Sequence, residues 1–240
     1  MSVNSLVMGR DAAALLQDWH SVANLIDHTL LSPAANSRDV LRLCAEAKQF
    51  GFYSVMVNPS WVALAAAQVH GTPVKVGTVV GFPLGANLSV TKLAEAATAA
   101  QNGAYDLDMV INIGALKSGD RVLVQTEIRS LVQVAHEHGA ILKVILEMAL
   151  LSQEEKILAC ALAAEAGADF VKTSTGFAAS GATAADVALM RGVVGHDIGV
   201  KAAGGIRTAA QLTEMVEAGA NRIGASASVA IVRELGAPGE

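Results

Sequence analysis

The chain has 240 residues, room for one large domain or two small ones, and 52% of them are hydrophobic while only 4% are aromatic. That apolar share is carried by Ala, Val, Leu and Ile, which suits strands buried on both faces and closely packed helices and excludes a disordered chain. The formal net charge is -5, from 17 basic and 22 acidic residues scattered along the chain. No basic stripe follows a nucleic-acid backbone, so nucleic acid is not an expected partner, whereas an anionic small molecule still is.

Arg10 and Asp11 precede any apolar run, so the start of the sequence does not read as a secretory signal. The uncharged stretch between Lys75 and Lys92 is broken by Pro83, Gly85 and Asn87 and reads as a buried strand with its loop, not as a membrane span. A cytoplasmic protein with no membrane association is expected. Cys44 and Cys160 have neither disulfide nor metal spacing and read as small buried apolar residues.

A short leading helix is expected over residues 10–20, then a first strand over 22–27 that runs into DHTLLSP. Residues 36–50 read as a helix stopped by Gly51, and 54–58 (SVMVN) as a strand, with Pro59 opening the next helix. VKVGTVVG at 74–81 is a strand that ends in the loop FPLGANLS, and a helix follows over 89–102. Three segments then share one grammar of helix end, Gly, Ala and strand, beginning at Asn102, Ala166 and Ala218, where a left-handed glycine lets the chain turn. Between them lie HGAILKVILE and GHDIGVKAAGG, each after a helical stretch.

Eight strands alternating with helices predict an α/β fold: a single (β/α)8 TIM barrel with a short N-terminal helix, one domain over 1–240. A doubly wound open sheet is the alternative. It would normally carry a glycine-rich fingerprint after its first strand, and DHTLLSP is not glycine-rich.

A barrel places catalytic groups at the C-terminal ends of its strands. Asp27, Lys75, Asp106, Asp108, Lys143, Lys172 and Lys201 all interrupt apolar strands and so need partners or a polar cavity. A strand lysine can simply snorkel or close the barrel floor with a carboxylate, which is the reading for Lys75, and Lys143 stands between that role and a functional one. Lys172 and Lys201 differ, because each ends its strand just before a glycine-bearing loop, on adjacent strands. Two cations sharing a cavity disfavour each other's charged forms, so one can act as a neutral amine nucleophile on a carbonyl. Asp108 completes the set, alternating with Leu107 and Met109, while Asp106 reads first as a lysine's partner. This trio can carry imine chemistry with no metal and no cofactor, since the protonated imine is itself the electron sink. The loops GGIRT and GASAS follow the seventh and eighth strands, where barrels bind phosphate. Gly204, Gly205, Gly224 and Ser226 are therefore candidate phosphate ligands, with Thr175 and Gly176 after Lys172 as further contacts. Each glycine taken alone could merely shape a turn. The histidines form no triad or metal set.

Taken together, LIDHTLL, VNP, GFPLG, DLDMVINIGALKSGD, LKVILE, GADFVKTSTGF, VKAAGGIRT and RIGAS make the sequence resemble the deoxyribose-phosphate aldolase (DeoC) family over essentially its whole length. The resemblance implies reversible cleavage of 2-deoxy-D-ribose 5-phosphate to acetaldehyde and D-glyceraldehyde 3-phosphate by a class I, metal-independent aldolase, with a homodimer as the family-typical assembly. It implies Lys172 as the Schiff-base lysine, Lys201 as the lysine that perturbs it and Asp108 as the proton relay. It places Asp27, Thr29 and Lys143 around that centre and Gly205 and Ser226 at the phosphate. Met56, Ala203, Ala225 and Ala227 depart from the family's usual Cys, Ser and Thr residues, and the lost hydroxyls predict looser phosphate selection.

Overall fold

Eight parallel strands close into a barrel in simple sequence order in the computed structural model, which describes residue 16 and residues 18–239. The strands are β1 (Ile26–Leu30), β2 (Ser54–Val57), β3 (Lys75–Val80), β4 (Asp106–Val110), β5 (Ile141–Ile145), β6 (Phe170–Lys172), β7 (Gly199–Ala203) and β8 (Arg222–Ala225). β8 returns to pair with β1, which removes any sheet edge. The (β/α)8 architecture is as expected.

Local chemistry sets the element boundaries. Asn36 accepts from the backbone N–H of Arg38 and Asp39, and the Asp39 carboxylate accepts from Asn36 N, so a reciprocal cap starts the helix Ser37–Phe50. Gly51, at φ 68°, ends it. Gly103, Gly167 and Gly219 all have positive φ at the helix-to-strand turns where the repeated Gly-Ala grammar required it. The helix expected from Pro59 opens as one 3-10 turn, Pro59–Trp61, and continues as Val62–Val69.

The first strand is displaced from its expected position. Val22 lies in a helix, Trp19–Ala23, whose start is capped by Asp18 accepting from His20 N and Ser21 N, and β1 begins only at Ile26. VANLIDHTL is apolar at both helical and strand periods, and the cap decided which came first. Residues 10–15 and 17 of the predicted leading helix lie outside the described residues.

Every residue of β4 to β8 is buried. One parity packs against the helices, as with Leu107, Met109, Val144, Val171 and Ile223 in the main apolar core. The other parity fills the barrel, where large residues sit opposite glycines. A Cβ on Gly199 would stand 2.1 Å from the Phe170 ring, and one on Gly77 2.1 Å from Met56 Sδ. Met56, the departure from the family's cysteine, is therefore a packing residue of the interior. Cys44 and Cys160 are buried free thiols. No helix among the described residues is long and apolar enough to cross a membrane.

Candidate active site

The barrel register brings the predicted charged residues into one interior. Lys172 is the direct neighbour of Lys201, Asp108 of Lys143, and Lys201 of Arg222. Because side chains alternate, Asp106 and Asp108 face inward together while Leu107 turns to the helices.

Asp108 is the hub. Its Oδ2 accepts from Lys172 Nζ at 2.8 Å and from Lys201 Nζ at 2.8 Å, and its Oδ1 lies 3.5 Å from Lys143 Nζ. Lys201 also reaches Asp27 Oδ2 at 2.5 Å. Asp27 is held by the Ser54 hydroxyl, which donates at 2.7 Å, and Thr29 Oγ1 donates to the Asp27 carbonyl at 2.8 Å. Lys143 is ion-paired to Asp106, the partnership expected for that aspartate. Lys75 instead lies exposed at the start of β3, its ammonium 4.9 Å from the centre of the Tyr105 ring, so it snorkels against an aromatic face and not to a carboxylate.

These partnerships set the protonation states. Burial pushes the Asp108 carboxyl up, but Lys172, Lys201 and Lys143 outweigh it and hold the carboxyl far below the usual range. Burial likewise disfavours the charged form of Lys143, yet Asp106, Asp108 and Asp27 outweigh burial and hold its ammonium above an ordinary lysine's pKa. Lys172 goes the other way. Burial is the largest influence, Asp108 opposes it, Lys201 adds to it, and the amine falls from 10.5 to about 8. The repulsion between lysines expected from the sequence is present, but desolvation exceeds it.

A cavity of about 350 Å³ opens above this network at the C-terminal ends of β1, β6, β7 and β8. Its wall includes Lys172, Thr29, Thr175, Gly176, Gly204, Gly205, Gly224 and Ser226. Asp27, Asp108, Lys143 and Lys201 are not on that wall; they are buried beneath it. Lys172 is thus the barrel lysine that reaches the cavity. Gly204 and Gly205 are both left-handed, at φ 93° and 81°, and a Cβ on Gly204 would lie 3.0 Å from Gly181 Cα. Ala182 N donates to the Gly204 carbonyl at 3.0 Å, so the loops after β6 and β7 close against each other. Ala203 and Ala225 line the same wall without hydroxyls.

Four residues matter that were not singled out from the sequence. Arg207 and Phe177 line the cavity, Glu147 accepts hydrogen bonds from Thr175, and Arg222 lies 3.9 Å from Asp27 with its guanidinium 3.4 Å from the Tyr53 ring centre. Each stands inside a motif already noted: GGIRT, TSTGF, LKVILE and RIGAS. A cation directly after two loop glycines was the available signal for Arg207. Nothing local distinguished Glu147. Among the described residues, no group of three or more His, Cys, Asp or Glu side chains could hold a metal ion.

A parallel barrel whose cavity ends on a buried amine of lowered basicity, hydrogen-bonded to a carboxylate shared with a second lysine, defines a lyase of the barrel aldolase class. Residues 21–235 match the family model described as DeoC/LacD family aldolase. The chain is 58% identical over 213 residues to the deoxyribose-phosphate aldolase of Thermococcus gammatolerans, covering 88% of this chain and 95% of that protein. It is 56% identical over 218 residues to the deoxyribose-phosphate aldolase of Aciduliprofundum boonei, covering 91% of this chain and 98% of that one. The solved structure of a deoxyribose phosphate aldolase from Aeropyrum pernix, described as a unique tetramer, superposes with a TM-score of 0.85 at 34% identity, covering 93% and 97% of the two chains. The chain belongs to the DeoC/LacD aldolase family.

Proposed function

We propose that this enzyme is a class I aldolase that reversibly cleaves 2-deoxy-D-ribose 5-phosphate to acetaldehyde and D-glyceraldehyde 3-phosphate, with Lys172 forming the imine. The observation that carries the reading is Lys172 itself: a cavity-facing amine lowered to about 8 and placed 2.8 Å from the Asp108 carboxylate. At neutral pH an appreciable fraction of such an amine is unprotonated, which an ordinary lysine cannot match.

The neutral Lys172 attacks C1 of the open-chain aldehyde, and loss of water gives the protonated imine. Removal of the C3 hydroxyl proton breaks the C2–C3 bond; the electron pair passes into the imine to form an enamine, and glyceraldehyde 3-phosphate departs. The enamine carbon then takes up a proton, and hydrolysis frees acetaldehyde and Lys172. Asp108 Oδ2 lies within hydrogen-bond reach of both Lys172 and Lys201, which suits it to carry protons between the reacting centre and the second lysine. Asp27 and Asp108 together anchor Lys201, and Lys143 adds to Lys172 and Lys201 in keeping Asp108 ionised.

The substrate's phosphate fits the far wall, against the backbone of Gly176, Gly204, Gly205, Gly224 and Ser226, with Arg207 supplying positive charge. The Thr175 hydroxyl donates to Glu147, so its proton is already committed there. A homodimer remains the proposed assembly.

Borohydride reduction in the presence of acetaldehyde, followed by peptide mass mapping, tests the assignment. An adduct on Lys172 is expected. An adduct on Lys201 would exchange the two lysines' roles, and none on folded protein would remove the imine mechanism.

A further inference from the structure

Among the described residues, Glu147 is the one non-glycine with a left-handed backbone, φ 57°, and its side chain is buried directly after β5. A residue with a Cβ occupies that region at a cost, so surrounding contacts must hold it there. Two sets of contacts do. Met148 N donates to the Thr173 carbonyl at 3.0 Å, tying the turn after β5 to the loop after β6. Glu147 Oε2 accepts from Thr175 N at 3.2 Å and from the Thr175 hydroxyl in a contact shorter than an ordinary hydrogen bond. Thr175 Oγ1 in turn accepts from Phe177 N at 3.0 Å.

A chain of hydrogen bonds therefore runs from the carboxylate through Thr175 to Phe177, and Gly176, at φ 85°, is suspended between the two anchored residues. The far end is braced as well: the Phe177 ring meets Phe82, from the loop after β3, edge-on at 5.2 Å. Gly176 has no side chain and lies 3.8 Å, from its Cβ position, from Gly204 Cα, so the place it offers a ligand is set by how its neighbours are held. Glu147 does not line the cavity and touches no reacting atom.

We infer that Glu147 is a positioning residue for the phosphate of the substrate: its carboxylate fixes Thr175 and Phe177 so that the Gly176 backbone stays on the cavity wall beside the glycines after β7. The inference rests on the phosphosugar reading above and assigns a specificity role to a residue outside the amine centre. It separates phosphate recognition from imine formation at the level of side chains: the Lys172 ammonium is held by Asp108, and the turn before Glu147 touches Lys172 only through its backbone, Leu146 N donating to the Lys172 carbonyl at 3.0 Å.

Three variants separate side chain from backbone. Glu147→Gln keeps an acceptor for Thr175, Glu147→Ala removes it, and Glu147→Gly removes it while relieving the left-handed backbone, so a folded protein is retained. The Gly and Ala variants should raise KM for deoxyribose 5-phosphate roughly tenfold with kcat within about threefold, and the Gln variant should recover most of the loss. KM for unphosphorylated deoxyribose and acetaldehyde trapping at Lys172 should not move. A Gly variant equal to the parent protein, or a fall in kcat at constant KM, would overturn the inference. Calorimetric titration with inorganic phosphate keeps it apart from the parent reading: weaker phosphate binding by the Gly variant supports the loop role even if the sugar phosphate is not cleaved, and equal binding defeats it.

Discussion

Lys143 and Lys172 stand on adjacent strands of one barrel, both buried, and the fold treats them in opposite ways. Lys143 faces Asp106, Asp108 and Asp27 and is held above the ordinary lysine range, whereas Lys172 is hydrogen-bonded to Asp108 alone and falls to about 8. Burial acts on both in the same direction. What differs is the number of carboxylates each ammonium can see, and which of them opens to the cavity. The wider interior repeats the point: Asp27, Asp106 and Asp108 face Lys143, Lys172, Lys201 and Arg222, three potential anions against four potential cations. Charge balance inside the barrel is reached when one cation is neutral, and among the three lysines Lys172 is the one with least carboxylate support.

Replacing the two lysines in turn sharpens the contrast most. Lys172→Met should lower kcat by at least about four orders of magnitude, since no other amine lies on the cavity wall. The same variant should be the more stable protein. A lysine whose pKa falls on folding opposes folding at pH below about 8, and the penalty fades as pH rises from about 8 towards 10.5. At pH 7 it corresponds to roughly 3 kcal/mol, an upper bound on what Met recovers. A lower unfolding midpoint in urea for this variant would contradict the charge-balance account.

Lys201→Met should reduce kcat by about 10² to 10⁴ while leaving Lys172 open to trapping. Its second signature is in the pH profile. Imine trapping by the parent protein should rise with pH around a midpoint near 8, and the midpoint should move upward in the variant, because Lys201 no longer disfavours the charged form and no longer shares Asp108 Oδ2 with Lys172. An unmoved midpoint would mean that Lys201 has no part in setting the amine. Lys143→Met should lose about 3–5 kcal/mol of stability by stranding Asp106, read as a lowered urea midpoint. Opposite signs for Lys143→Met and Lys172→Met are the direct test of the comparison.

Much of this was legible in the chain. Alternation along YDLDMVIN assigned Asp106 and Asp108 to one face, and the glycines at 103, 167 and 219 marked where strands begin. Lys172 and Lys201, each before a glycine loop, could be paired once eight units were counted. The start of β1 was not legible, because VANLIDHTL satisfies two periods and Asp18 chose between them. Arg222 and Glu147 were also opaque: one acts on Asp27 across the β8–β1 seam, and the other on a loop 28 residues further along the chain.

The sequence by itself determined the element order, the inward parity of the charged residues and the family, because periodicity, capping and glycine placement are local and leave direct marks. Only the tertiary structure decided which lysine gives up its proton most readily, which residues line the cavity and which lie beneath it, and what holds Gly176 in place. Those outcomes depend on desolvation and on counting charges across strands far apart in the chain, and neither quantity exists until the barrel has closed.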